Sequence, residues 1–209
     1  MRNFLDALIG EFDTALRTVA APAPVRSMPV PDPTPADEPE PAAGRESARL
    51  MRVNHAGEIA AQALYRGQAF IARDEAMRRR LLAAADDEHD HLAWCARRVG
   101  ELGGHTSRLA PAWYGGSFAI GALAGLAGDR VSLGFLAETE KQVVEHLAGH
   151  LERLPAADTR SRCIVEQMQK DEEAHRNSAR EHGGIPLPAP VTAAMRAAAG
   201  VMTRVSYWI

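Results

Sequence analysis

Two short stretches constrain the fold more than any other feature. Asp87-Glu88-His89-Asp90-His91 and Asp171-Glu172-Glu173-Ala174-His175 each carry Glu-x-x-His inside a long segment of helical periodicity. Residues three apart share one face of an α-helix, so each pair points a carboxylate and an imidazole the same way. A chain of this composition produces the spacing roughly 0.6 times by chance, which leaves the decision to the flanking residues. Leu81, Ala84, Ala85, Glu88, His91, Leu92 and Cys95 fall on one stripe, and Val165, Met168, Glu172, His175 and Ala179 on another. Both pairs therefore face a core. Ionised carboxylates are too costly to bury without compensating charge, and a metal ion supplies that charge.

Caps and breakers divide the rest of the chain. Residues 1–20 place Phe4, Leu5, Leu8, Ile9, Phe12 and Leu16 on a pattern interrupted by Asp6, Glu11 and Asp13, which predicts a short amphipathic helix and not an export signal. Residues 21–44 are dominated by proline, alanine and acidic residues, the composition of an extended, poorly ordered linker. Residues 45–209 read as a helical domain. Ser47 caps a helix to about Ala72, and Asp74 a second to about Leu102. An uncharged stretch, Leu109 to Gly128, precedes a third helix from Asp129 to Leu154. Pro155 breaks it, Asp158 caps a fourth to Glu181, and a last apolar helix runs from Val191 to about Tyr207. The expected fold is all-α: a four-helix bundle of two hairpins joined by a long crossover, with an extra helix at each end.

Spacing locates the remaining ligands. In an antiparallel hairpin, residues at equal depth lie symmetrically about the turn, because both arms rise about 1.5 Å per residue. Glu58 and Glu88 are centred on Arg73, beside the Asp74 cap, and Glu140 and Glu172 on Ala156, beside Pro155. Glu140 shares an apolar stripe with Leu133, Leu136, Val143, Val144, Leu147 and Leu151, whereas Glu138 and Glu173 fall on polar faces. The predicted metal ligands are Glu58, Glu88, His91, Glu140, Glu172 and His175. A Glu-x-x-His from each of two helices and one Glu from each of two others is the ligand pattern of ferritin-like di-iron bundles. Four carboxylates and two imidazoles balance two divalent cations and suit iron or manganese, with two Fe2+ ions the expected pair. Asp87 and Asp171 precede the motif glutamates and can accept the outer N–H of a ligand histidine, its own or the one across the site. His146, beyond Glu140 on the same helix, is placed to handle a proton or touch a substrate.

Formal net charge is −3 with basic residues scattered along the chain, which argues against a nucleic-acid partner. Cys95 and Cys163 lack a paired metal-ligand or redox spacing and read as ordinary thiols of a reducing compartment.

Arg52-Val53-Asn54-His55-Ala56-Gly57-Glu58 with Gly67-Gln68, Asp87-Glu88-His89-Asp90-His91-Leu92, Ala137-Glu138-Thr139-Glu140 and Asp171-Glu172-Glu173-Ala174-His175 together resemble the demethoxyubiquinone hydroxylases of ubiquinone biosynthesis, over about residues 47–209. Asn54 stands where many members have aspartate, and the first helix and linker lie outside the resemblance. The resemblance implies a di-iron monooxygenase that uses O2 to hydroxylate the ring of a polyprenyl methoxy-methyl-benzoquinol. It also implies a peripheral protein of the cytoplasmic face of the cell membrane, working beside other ubiquinone-biosynthesis proteins. A polyprenyl tail leaves a bilayer only at about 0.8 kcal/mol per exposed CH2, so such an enzyme has to come to the membrane surface. The Leu109–Gly128 stretch is the expected contact, as a monotopic or tunnel-lining segment, with Leu187, Val191, Met195, Val201, Tyr207 and Trp208 widening it. No glycine-rich dinucleotide turn is present, so electrons come from NAD(P)H bound without one or by another route. The alternatives are a ferritin-like ferroxidase with no organic substrate and a quinone-binding scaffold with a structural metal.

Overall fold

Two aspartates turn the chain back on itself. Asp74 accepts a hydrogen bond from the Met77 amide and Asp158 from the Ser161 amide, and each opens the returning arm of a helical hairpin. The computed structural model describes residues 4–20, 31 and 39–209. It contains α1 (Phe4–Ala20), α2 (Pro41–Ile71), α3 (Glu75–Glu101), α4 (Ala110–Leu126), α5 (Asp129–Arg153), α6 (Thr159–Glu181) and α7 (Ala189–Ser206), with no strand among the described residues. The hairpins α2–α3 and α5–α6 make the expected bundle, and α4 spans the connection between them.

The first bundle helix starts earlier than its sequence suggests. Pro41 occupies the first turn, where the missing N–H costs nothing and φ is already helical, and Ser47 is buried inside the helix. Residues 41–44 of the expected linker are thus helical; most of the remainder lies outside the described residues.

Apolar layers lie on either side of the Glu-x-x-His level. Leu50, Met51, Trp94, Leu147, Ile164 and Met168 pack on one side, and Tyr65, Ala69, Leu81, Leu133, Leu136 and Ala179 on the other. The start of α2 meets the end of α5 in the first layer, and the end of α2 meets the start of α5 in the second, so these two helices run antiparallel. The α4 helix lies against α2 with backbone nearly touching backbone. A Cβ added to Gly121 would sit 2.0 Å from the Leu64 carbonyl oxygen, and one added to Gly67 would sit 2.2 Å from that of Phe118. No described helix is long and apolar enough to cross a membrane.

The end helices dock on this frame. Arg66 on α2 forms a two-pronged ion pair with Glu11 on α1 at 2.8 and 2.9 Å, and Thr18 donates to Gln62. The α1 stripe Leu5, Leu8, Ile9, Phe12 and Leu16 remains exposed. At the other terminus Arg49 stacks over the rings of Tyr207 and Trp208, and the Tyr207 hydroxyl donates to Glu46.

One buried ion pair ties the hairpins together. Arg98 near the end of α3 donates to Asp158 at 2.8 Å and to Ser161 at 2.9 Å. Burial pushes the Asp158 carboxyl up, but neighbouring Ser47 and Ser161 and the Arg98 charge outweigh it and hold it below its usual range. An Asp158→Asn substitution removes one of the carboxylates that pair with the buried guanidinium, leaving Glu101 at 3.2 Å, and should cost about 1.5–3 kcal/mol in urea unfolding. Because the folded carboxyl titrates below its unfolded value of about 3.9, this contribution is present above that pH and lost as the pH falls through the folded value.

Candidate metal centre

Four bundle helices deliver six side chains to one buried cluster. Glu58 comes from α2, Glu88 and His91 from α3, Glu140 from α5, and Glu172 and His175 from α6. The four glutamates and His91 are buried, and His175 is partly exposed. Their donor atoms form two overlapping groups, Glu58-Glu88-His91-Glu172 and Glu88-Glu140-Glu172-His175, with the atoms of each within 4.8 Å of one another. Glu88 and Glu172 belong to both, which makes them the residues able to bridge two cations. Glu58 and Glu140 stand at the outer ends.

Both histidines turn the same atom inward. His91 Nδ1 lies 3.2 Å from Glu88 and 3.0 Å from Glu172, and His175 Nδ1 lies 3.1 Å from Glu172. Each Nε2 faces an aspartate on the opposite helix: His91 meets Asp171 at 3.2 Å and His175 meets Asp87 at 3.3 Å. The two aspartates thus serve the histidine across the site, not their own, and hold each ring in the orientation that leaves Nδ1 free for a ligand.

The electrostatics show what the cluster lacks. Burial, then the charges of Glu172 and Glu88, push Glu140 far up; burial also raises Glu58, against the pull of His91. Burial alone would neutralise His91, yet hydrogen bonds to Asp171, Glu172, Glu58 and Glu88 raise it well above its ordinary value. Likewise His175 is pushed up to about 11, with burial overcome by Asp87 and Glu172. Two imidazolium charges stand in for missing positive charge, and still Glu88 Oε1 and Glu140 Oε2 have no hydrogen-bond partner within the protein. Paired cations would supply that charge and use those oxygens, so the residues present fit a two-metal carboxylate–histidine site.

Other side chains complete the surroundings. The Tyr65 hydroxyl donates to Glu140 Oε1, and burial followed by the carboxylate charges keeps it protonated. Tyr65 stands two turns beyond Glu58 on α2, and that position is the only signal the sequence carries of its contact with Glu140. Trp94 rests 5.2 Å from the His91 ring. Glu138 lies apart, held by Gln142 and Lys141, and Glu173 pairs with Arg176 at the surface.

A cavity of about 560 Å3 opens onto this cluster. Glu58, Glu140 and Glu172 form its inner end, and Trp113 and Ile120 of α4 and Met195 and Met202 of α7 line its walls. His146 also lines it, with its ring 4.0 Å from that of His150. Burial drives these imidazoles down to about 4 and about 2, so both are neutral.

An all-α bundle with a Glu-x-x-His pair on each of two helices, answered by a glutamate on each of the other two, is a ferritin-like carboxylate–histidine protein. Within that class, residues 45–206 match the family described as "Ubiquinone biosynthesis protein COQ7". Relatives called 3-demethoxyubiquinol 3-hydroxylase align along nearly the whole chain. That of Cupriavidus necator is 58% identical over 207 residues, covering 98% of this chain and 100% of its own. That of Nitrosomonas eutropha is 55% identical over 206 residues, covering 98% and 99%. A third, from Bordetella petrii, is 54% identical over 212 residues, covering 100% and 93%. The chain belongs to the COQ7 family. Its first helix and linker, expected to fall outside the likeness, are spanned by these relatives although not by the family model.

Metal binding to such a site must release the imidazole protons. Calorimetric titration of metal-free protein with Fe2+ near pH 7.5, in buffers of different ionisation enthalpy, should show net proton release and tighter binding as the pH rises. In the metal-free protein the stability owed to His175 is full below its unfolded value of about 6.5 and is lost as the pH rises through about 11.

Proposed function

We propose that this protein is an O2-dependent monooxygenase that hydroxylates the ring of a demethoxyubiquinol in ubiquinone biosynthesis, using two iron ions held by Glu58, Glu88, His91, Glu140, Glu172 and His175. The observation that carries this is the meeting of all six side chains in one buried cluster at the closed end of an apolar cavity. The names of the aligned relatives supply the substrate class.

Bound iron supplies the O2 activation that the side chains cannot. The chain's own residues do the rest. Asp87 and Asp171 accept the Nε2–H of His175 and His91 and keep both Nδ1 atoms pointed inward. Tyr65 holds Glu140 in one orientation. The apolar walls exclude water and leave the ring only the carboxylate end of the cavity to approach. One oxygen atom enters the ring and the other leaves as water, with two electrons from a donor such as NAD(P)H and two protons from the donor and the solvent. The chain carries no glycine-rich dinucleotide turn, so the donor binds without one or passes electrons by another route.

The polyprenyl tail places the working enzyme at a membrane surface. Exposed apolar side chains support this on three helices: the α1 stripe, Ile120, Leu123 and Leu126 on α4, and Val191 and Val201 on α7, with Trp208 beyond its end. Tyr207 is not part of that surface, because it is turned inward onto Glu46. Peripheral attachment to the cytoplasmic face of the cell membrane is the arrangement these surfaces suit.

Anaerobically reduced, iron-loaded protein given a demethoxyquinol and then O2 should yield the hydroxylated quinol. Iron oxidation without ring hydroxylation would instead identify a ferroxidase, and no O2 reactivity a scaffold with a structural metal. Glu140→Ala should lose bound iron and turnover while Glu138→Ala keeps both, measured as iron per chain. Liposome flotation should weaken at least severalfold when Ile120, Leu123 and Leu126 are made serine.

A further inference from the structure

Besides the carboxylates, the cavity wall holds three buried polar atoms with no hydrogen-bond partner within the protein: Asn54 Oδ1, His146 Nε2 and Trp113 Nε1. Leaving such an atom unpaired is costly, so three in one apolar cavity mark places for a ligand to hydrogen-bond. Two of them stand at the same end of the site. Asn54 precedes Glu58 by four residues, about 6 Å along α2, and His146 follows Glu140 by six, about 9 Å along α5. Since α2 and α5 run antiparallel, both displacements point the same way, towards the layer of Met51 and Leu147. Both line the cavity together with Glu58 and Glu140, so a ring bound at that end has the two residues and the inner carboxylates as its surroundings.

The donor chemistry selects a ring with hydroxyl groups. The Asn54 amide NH2 is turned to the Met51 sulfur at 3.8 Å, which leaves Oδ1 as an unpaired acceptor on a residue that lines the cavity. His146 is neutral, and its ring is backed by His150 at 4.0 Å, so Nε2 is held in place for an O–H group. We propose that Asn54 Oδ1 and His146 Nε2 each bind one of the two ring hydroxyls of the quinol and so fix which ring carbon faces the metal centre, with His150 as the positioning residue behind His146. This rests on the quinol-hydroxylase reading above. It predicts that the reduced quinol, and not the quinone or an alkylated quinol, is the form recognised.

The test is equilibrium binding to metal-free protein under anaerobic conditions, using a short-tailed demethoxyquinol and its dimethyl ether. The wild-type protein should bind the quinol about tenfold or more tightly than the ether. Asn54→Ala and His146→Phe should each weaken the quinol by a similar factor and leave the ether unchanged, while His146→Gln restores much of the difference. In the iron-loaded enzyme the same variants should raise KM at unchanged iron content. Equal wild-type binding of quinol and ether overturns the proposal without any variant, as does wild-type affinity in Asn54→Ala and His146→Phe. Selective quinol binding by protein that hydroxylates no quinol when iron-loaded would overturn the functional reading and leave this one standing.

Discussion

The structure depends on the burial of negative charge. Four glutamates sit at the middle of a helical bundle, where an unpaired carboxylate is unaffordable, and every nearby device limits that cost. The imidazoles of His91 and His175 take up protons, Tyr65 donates to Glu140, and Asp87 and Asp171 keep the rings aligned. The apolar layers on either side hold the four helices at the spacing this demands. Compensation by protons alone remains incomplete, which gives paired cations their thermodynamic purchase.

Much of this was legible from spacing. Glu58 and Glu140 were located because helical rise is constant and the turns at Asp74 and Asp158 are signalled by caps and a proline. Separating Glu140 from Glu138 needed only the direction of one helix face. What stayed hidden depends on the rotation and distance of one helix relative to another, which no single-helix pattern encodes. The Tyr65–Glu140 contact, the Arg98–Asp158 pair and the choice of each aspartate for the histidine across the site are of this kind. The early start of α2 escaped for a local reason: Pro41 opens a helix where its neighbours read as linker.

Substrate access follows from close backbone packing. Gly67 and Gly121 let α4 settle against α2, so the uncharged crossover becomes a wall of the cavity as well as a connection. With α7 forming the facing wall, the carboxylate–histidine cluster is reached between two elements that contribute none of its six side chains.

The reciprocal aspartate–histidine contacts give the centre a two-fold character. Exchanging the two hairpins preserves the pattern of partners, with His91 answering to His175, Asp171 to Asp87 and Glu58 to Glu140. Each hairpin therefore supplies half of both aspartate–histidine pairings and completes neither alone. The chain behaves chemically as an internal dimer whose carboxylate–histidine cluster lies within the interface between its halves.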